Sequence, residues 1–260
     1  MNFSLKEALA LAIKAAKMAG GEILDVYQSN DFQAESKFDT SPITIADKKA
    51  HKVIFETVST LGLPILSEEG SMTPFSERSK WEYFWLIDPL DGTKEFISRT
   101  DDFVVNIALI HQTKPILGVM YAPVFQTLFY AIKGGGAFKE EKGIVSPIKT
   151  AIFSKSDARL KIVASRSHFD NLTKSYIEKL NQPQLTHIGS GLKFMLIACG
   201  EAHIYPRFAP TMEWDTAAPQ IIVEEAGGKV LHTDEQSALE YNKEDLRNPY
   251  FISFGNIRDE

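Results

Sequence analysis

"WLIDPLDGTKEF", residues 85–96, drives an apolar run straight into two aspartates, Asp88 and Asp91, with Pro89 between them and Gly92-Thr93 behind. Trp85 to Ile87 read as the end of a buried strand. Like charges held together at a buried edge repel, and desolvating them costs several kcal/mol unless something positive sits between them. Pro89 discourages helix at Asp88 and fixes its own backbone angle, so a turn is expected at the end of the strand. Such a turn can aim both carboxylates, and the Leu90 carbonyl between them, at one spot. Donors that are all oxygen suit a hard cation such as magnesium. An isolated pair of aspartates at this spacing is usually a solvated turn, so the rest of the chain has to decide.

Upstream, "SEEG" puts Glu68 and Glu69 after another short apolar strand, "LPIL". Downstream, "EWDTAAPQIIVEEAGG" puts Asp215 at a helix start, where aspartate is by itself an ordinary N-cap; Pro219 is expected in the first turn of that helix. Gly92 lets backbone approach a ligand closely, and "TKEF" can open a short helix whose free N–H groups face an anion. Carboxylates for a metal beside an anion-binding backbone make the layout of metal-assisted phosphate-ester hydrolysis.

Further out, the chain opens with an amphipathic helix from about Ser4, its N-cap, to Tyr27, and a second helix covers roughly 45–61. "FVVNIALIH", "PILGVMYAP" and "TLFYAIK" read as an antiparallel meander closed by the "GGGA" turn. From about Ile148 strands and helices alternate, which suggests an α/β layer. The expected organisation is an α+β half, residues 1–146, carrying most of the candidate metal ligands. An α/β half, residues 147–260, carries Asp215, and a site between the halves is the default expectation.

Composition narrows the classes. The 260 residues are 44% hydrophobic and 24% charged, as in ordinary globular proteins, and a net charge of −6 argues against a nucleic-acid backbone as partner. A single cysteine, Cys199, excludes an internal disulfide and a cysteine-built zinc site and fits a cytoplasmic location; it reads as core. No apolar run is long enough to span a bilayer, and the N-terminus lacks the pattern of a signal peptide. Gly134-Gly135-Gly136 has no GK[ST] behind it and reads as a turn, "WEYFW" (81–85) as strand packing, and Asp101-Asp102 as a solvated start of a strand.

Together, "WLIDPLDGTKEF", "SEEG" and "WDTAAP…EEAGG" resemble the three signatures of the inositol monophosphatase superfamily. "SPITIAD", "DFVVNIALI", "PILGVMYAP", "SRSH" and "YPRF" extend the similarity over essentially the whole chain. The resemblance implies a layered αβαβα sandwich of the sugar-phosphatase type, shared with fructose-1,6-bisphosphatase, and a lithium-sensitive, magnesium-dependent phosphatase. Within the superfamily the chain is similar to the bacterial 3'(2'),5'-bisphosphate nucleotidase branch. That branch removes the 3'-phosphate of adenosine 3',5'-bisphosphate in sulfur metabolism, with the sulfated nucleotide as a further candidate substrate.

Carried onto this chain, the resemblance makes Glu68, Asp88, the Leu90 carbonyl, Asp91 and Asp215 the ligands of two magnesium ions, with a third in some family accounts. Glu68, Leu90, Asp91 and Asp215, with Gly92 and Thr93, would also surround the scissile phosphate. Asp47, otherwise an ordinary polar residue on a helix, would pair with Thr93 to orient and deprotonate the attacking water, with Glu68 nearby. His51, where many members carry glutamate, is given no metal role. For the second phosphate, Gly189-Ser190-Gly191 is expected to open a helix whose N–H groups hold an anion, with Lys193 and Arg207 adding charge; the resemblance implies Ser190, Lys193 and Arg207 at that phosphate and the sugar, with His168 beside the nucleotide and Ser165 a weaker candidate. Read singly, Lys193, Arg207 and His168 are a solvated lysine, a surface ion-pair partner and a helix cap. Two rivals stay open: an inositol monophosphatase or fructose-1,6-bisphosphatase with the same metals, and a sensor that binds the nucleotide without turnover. Oligomeric state is unreadable, and peripheral attachment to the inner membrane, known in relatives, has no lipid motif behind it here.

Overall fold

Small residues shape the first layer. Helix α1, Leu5–Ser29, buries Ala8, Ala12, Ala15, Ala16 and Ala19 along one stripe, and the Ser4 hydroxyl caps it by accepting the Glu7 N–H at 3.1 Å. The stripe lets α2, Ile45–Val58, lie close alongside it. These features come from a computed structural model describing residues 3–29, 32, 34–36, 42–166 and 169–258. Helix α2 stops at Val58; residues 59–61 tighten into a 3₁₀ turn that ends at Gly62, φ 72°.

Both helices cover one face of a seven-stranded sheet: β1 (Ile65–Ser67), β2 (Tyr83–Asp91), β3 (Val104–His111), β4 (Lys114–Ala122), β5 (Thr127–Ile132), β6 (Ala137–Glu141) and β7 (Ile144–Ile148). The strands pair in chain order, parallel between β1 and β2 and antiparallel thereafter. Trp85, Ile87, Val105, Ile107 and Leu109 face α1 and α2, while Phe84, Leu86, Val104, Ala108 and Ile110 face the other way into a second core. With both faces buried, these strands read as continuous apolar runs.

The sheet does not end at the "GGGA" turn, as the sequence suggested. That turn leads into β6 and then β7, an exposed edge strand. Lys139, Glu140 and Glu141 put the charges on β6, while the edge strand β7, "IVSPI", is exposed for most of its length and carries Pro147, so neither shows hydrophobic alternation.

Behind β2 a short helix, α3 (Thr93–Ile97), turns the chain toward β3. The second sheet comprises β8 (Lys161–Ser165), β9 (Gln184–Ile188), β10 (Ile204–Arg207), β11 (Lys229–His232) and β12 (Phe251–Phe254), in the order β9-β8-β10-β12-β11. Its first three strands are parallel, as strand–helix alternation suggests, but β12 and β11 add antiparallel pairs that the sequence reading did not contain. On its outer face lies α4 (Asn171–Ile177), whose Ile177 joins Ile162, Ile204 and Ile252.

Between the sheets lie α5 (Leu192–Ala198) and α6 (Glu213–Glu225). Their core runs unbroken from Leu86, Ala108 and Met120 through Ile222 to Val163, Tyr205 and Phe251. The layers are therefore helix, sheet, helix, sheet, helix: the expected αβαβα sandwich. One contact sets the spacing. A Cβ on Gly118 of β4 would lie 2.5 Å from the Ala218 carbonyl oxygen of α6, so helix and sheet touch backbone to backbone there. Pro219 is not in the first turn of α6 but inside the helix, where its missing N–H frees the Asp215 carbonyl from helical bonding. Among the described residues no helix is long and apolar enough to cross a membrane.

Candidate active site

The parallel pairing of β1 with β2 carries Glu68 alongside the end of β2: Ser67 pairs with Ile87, and the Glu68 N–H donates to the Ile87 carbonyl at 3.1 Å. Strand β2 does not leave the sheet at Pro89. It continues to Asp91 through a bulge, with Asp88 opposite Asn106 and Asp91 opposite Val104. A bulge re-aims side chains, so it does the work the sequence reading assigned to a turn. Asp88 Oδ1 accepts the Leu90 N–H at 3.0 Å and so holds the bulge in shape.

Asp215 comes to the same point from α6. It sits in the first turn rather than at the cap, and its Oδ2 accepts the Met212 N–H at 2.9 Å. One oxygen from each of Glu68, Asp88 and Asp215 then lies within 4.8 Å of the others. Burial, and then Glu68, Asp91 and Asp215, push the Asp88 carboxyl well above the usual range; burial, Asp91 and Glu68 do the same to Asp215. Asp91, beside this trio, is pushed up to about 6, first by burial, although Lys193 and the Gly191 N–H oppose the shift. Asn106, paired in register with Asp88, is fully buried, and neither of its amide atoms has a hydrogen-bond partner among the described residues. Carboxylates gathered in so small a space fit a hard, hydrated divalent cation.

Asp47 enters from the start of α2. Its Oδ2 accepts both the Thr44 N–H, at 2.7 Å, and the Thr44 hydroxyl, at 2.6 Å. Its Oδ1 accepts the Thr93 hydroxyl at 3.1 Å, which lies 3.2 Å from the Leu90 carbonyl as well. The structure thus brings together Asp47, Thr93 and Leu90. Burial raises the Asp47 pKa against the pull of these donors. Thr44, fully buried, was not singled out in the sequence, although T-x-x-D before a helix is the pattern of a capping box. His51 bonds Ser67 Oγ through Nδ1 at 2.9 Å.

The same cleft, of about 250 Å³, is lined by Glu68, Asp91, Gly92, Thr93 and Asp215 and, beside them, by Ser165, Ser190, Lys193 and Arg207. Lys193 is not a solvated helix lysine: it is 4% exposed, and its ammonium meets the Ser190 carbonyl and, at 3.4 Å, that of Ile188. Burial brings its pKa down to about 8. Arg207 is no surface residue either. It is 9% exposed, its Nη2 donates to the Pro210 carbonyl at 3.1 Å, and its Nε has no partner among the described residues. His168 lies outside the described residues.

Two expectations need correction. The N–H groups of Gly189 and Gly191 do not stand free before an anion; they donate to Asp102 Oδ2 at 3.1 Å and Asp91 Oδ2 at 2.5 Å. Nor is Asp102 a solvated residue. It is 6% exposed and ion-paired with Arg166 at 2.9 Å. No local signal gives this pairing, because the partner lies on another sheet.

A layered sandwich with buried carboxylates converging beside a bonded Asp–Thr pair defines a class of phosphatase. The chain belongs to the inositol monophosphatase family, whose model matches residues 4–252. Among its relatives is the 3'(2'),5'-bisphosphate nucleotidase CysQ of Salmonella typhimurium, 46% identical over 241 residues, 91% of this chain and 95% of that protein. The CysQ of Buchnera aphidicola is 45% identical over 88% of this chain and 86% of its own length. The crystal structure of CysQ from Bacteroides thetaiotaomicron superposes with a TM-score of 0.87 at 40% identity, covering 99% of this chain and all, 100%, of that one. An inositol monophosphatase from Anabaena gives 0.76 at 28% identity, covering 97% and 92%.

Proposed function

We propose that this chain is a magnesium-dependent 3'(2'),5'-bisphosphate nucleotidase that hydrolyses the 3'-phosphate of adenosine 3',5'-bisphosphate, releasing AMP and phosphate. The observation that carries the choice is the pair of buried cations in the cleft. Burying cations is costly and favours a ligand that brings anionic oxygens to them, and Lys193 and Arg207 are both buried there. An inositol monophosphate has one phosphate, which the carboxylate site would take, and brings no second phosphate to that pair. The names of the CysQ relatives point the same way.

Glu68, Asp88, the Leu90 carbonyl, Asp91 and Asp215 would hold the metal. Bound there, magnesium would neutralise charge on the phosphoryl oxygens and leaving group and would acidify water. The chain's own residues do the rest. Thr44 saturates Asp47 Oδ2, which leaves Oδ1 as the oxygen that faces Thr93. The Thr93 hydroxyl donates toward Asp47, and its lone pairs accept from a water, so the water's proton can pass through Thr93 to Asp47 as oxygen attacks phosphorus. Burial raises the basicity of Asp47, which suits it to receive that proton. Gly92 and Thr93 line the cleft and hold the scissile phosphate, while Ser190, Lys193 and Arg207 hold the other one.

Phosphate release from adenosine 3',5'-bisphosphate and inositol 1-phosphate, each with magnesium and with chelator, tests this reading. A strong, chelator-sensitive preference for the nucleotide is expected. Preference for the inositol ester would discard the nucleotide pocket and keep the metal site; binding of the nucleotide without turnover would leave a sensor.

A further inference from the structure

The loop between β9 and α5 carries Ser190 and leads into Lys193, so its position decides where the second phosphate is met. Two carboxylates of the first sheet's side pin it. Asp102, just before β3, takes the Gly189 N–H; Asp91, at the end of β2, takes the Gly191 N–H. The approach is too close for side chains: a Cβ on Gly189 would lie 2.6 Å from Glu95 Cγ and 2.9 Å from Asp102 Cβ, and one on Gly191 would lie 2.7 Å from Met120 Cε.

Between the pins Ser190 is forced to φ 44°, a left-handed conformation that is strained for a non-glycine residue and persists only where neighbours impose it. The Ser190 carbonyl in turn receives the Lys193 ammonium. A connected path therefore runs from Asp102 through Gly189 and Ser190 to Lys193.

Asp102 cannot hold this post alone. A buried carboxylate near a site for a polyanion would repel it, and desolvation disfavours the charge. Arg166, at the end of β8, reaches the same Oδ2 that binds Gly189. It neutralises Asp102 and ties β8 to the loop before β3.

We infer that Asp102, held and neutralised by Arg166, is a positioning residue that sets Ser190 and Lys193 for the substrate's second phosphate. This rests on the proposed nucleotidase reading. Because both glycine N–H groups are engaged by carboxylates, the second phosphate is met by side chains, Ser190 and Lys193 with Arg207, and not by the backbone of this loop.

Steady-state kinetics with adenosine 3',5'-bisphosphate and adenosine 3'-monophosphate test this, since the two share the scissile bond and differ in the other phosphate. Asp102→Asn and Arg166→Ala are each expected to raise KM for the bisphosphate about tenfold, the scale of one charge-assisted hydrogen bond, with kcat within about twofold. The monophosphate constants should hold, and Arg166→Lys should restore most of the affinity. Equal losses on both substrates, an unchanged KM, or no rescue by lysine would overturn the inference. If Asp102→Asn melts early, Arg166→Ala, at a side chain 45% exposed, carries the test. A wild-type protein that does not turn over the bisphosphate would instead sink the nucleotidase reading, and this inference with it.

Discussion

The acidic and basic sides of the one cleft oppose each other in charge and share one predicament. At the acidic end, burial and mutual repulsion push Asp88 and Asp215 well above the ordinary carboxylate range. At the basic end, burial drags Lys193 down to about 8. Each end gathers groups that folding alone leaves worse off than water would, and each is relieved by a ligand of opposite sign. A cation suits the first and a phosphate the second. A substrate with two phosphates, bound with a metal, would satisfy both.

This contrast breaks in an ordered way. The acidic end should serve every phosphate ester, so Asp88→Asn is expected to lower kcat/KM for the bisphosphate and the 3'-monophosphate alike. The loss should be on the order of 10³-fold, the several kcal/mol of a displaced metal. Steady-state assays check it, and a loss confined to one substrate would mean the ends do not divide the labour. Next comes Asp47→Asn, which removes the proton's destination: kcat should fall on the order of 10²-fold with KM within about twofold. A rise in KM instead would recast Asp47 as a binding residue.

The smallest effect belongs to the basic end and is set by pH. Lys193 carries its charge below its pKa of about 8 and loses it above. KM for the bisphosphate should therefore rise as pH increases through about 8, by several-fold per unit, while KM for the 3'-monophosphate stays level. Lys193→Met should raise KM at neutral pH and flatten the profile. A profile that persists in that variant would assign the titration elsewhere.

The acidic end was the more legible in the sequence. Asp88 and Asp91 stand out because carboxylates rarely follow a run as apolar as "WLI", and the family signatures added Glu68, Asp215 and Asp47. The geometry that joins them was not legible: the bulge at Asp88–Asp91 replaces a turn, and Thr44 hides in a capping pattern. Lys193 and Arg207 could be named but not seen as buried, since their burial is made by distant layers. Asp102 was misread outright, because its partner Arg166 comes from the other sheet and sequence neighbours say nothing of it. The meander and the βα alternation were readable from apolar runs; β6 and β7 were not, because β6 is largely charged and the short apolar run of β7 is exposed and broken by Pro147.

Gly118 touches none of the site, yet it works as a feeler gauge. Asp88 rides on the sheet and Asp215 on α6, and the sheet and helix close until backbone meets backbone at that glycine. The aperture between two walls of the acidic end is thus a manufacturing tolerance, set by the thickness of a residue that has no side chain. The spacing of Asp88 and Asp215 is machined into the core, well away from the carboxylates themselves.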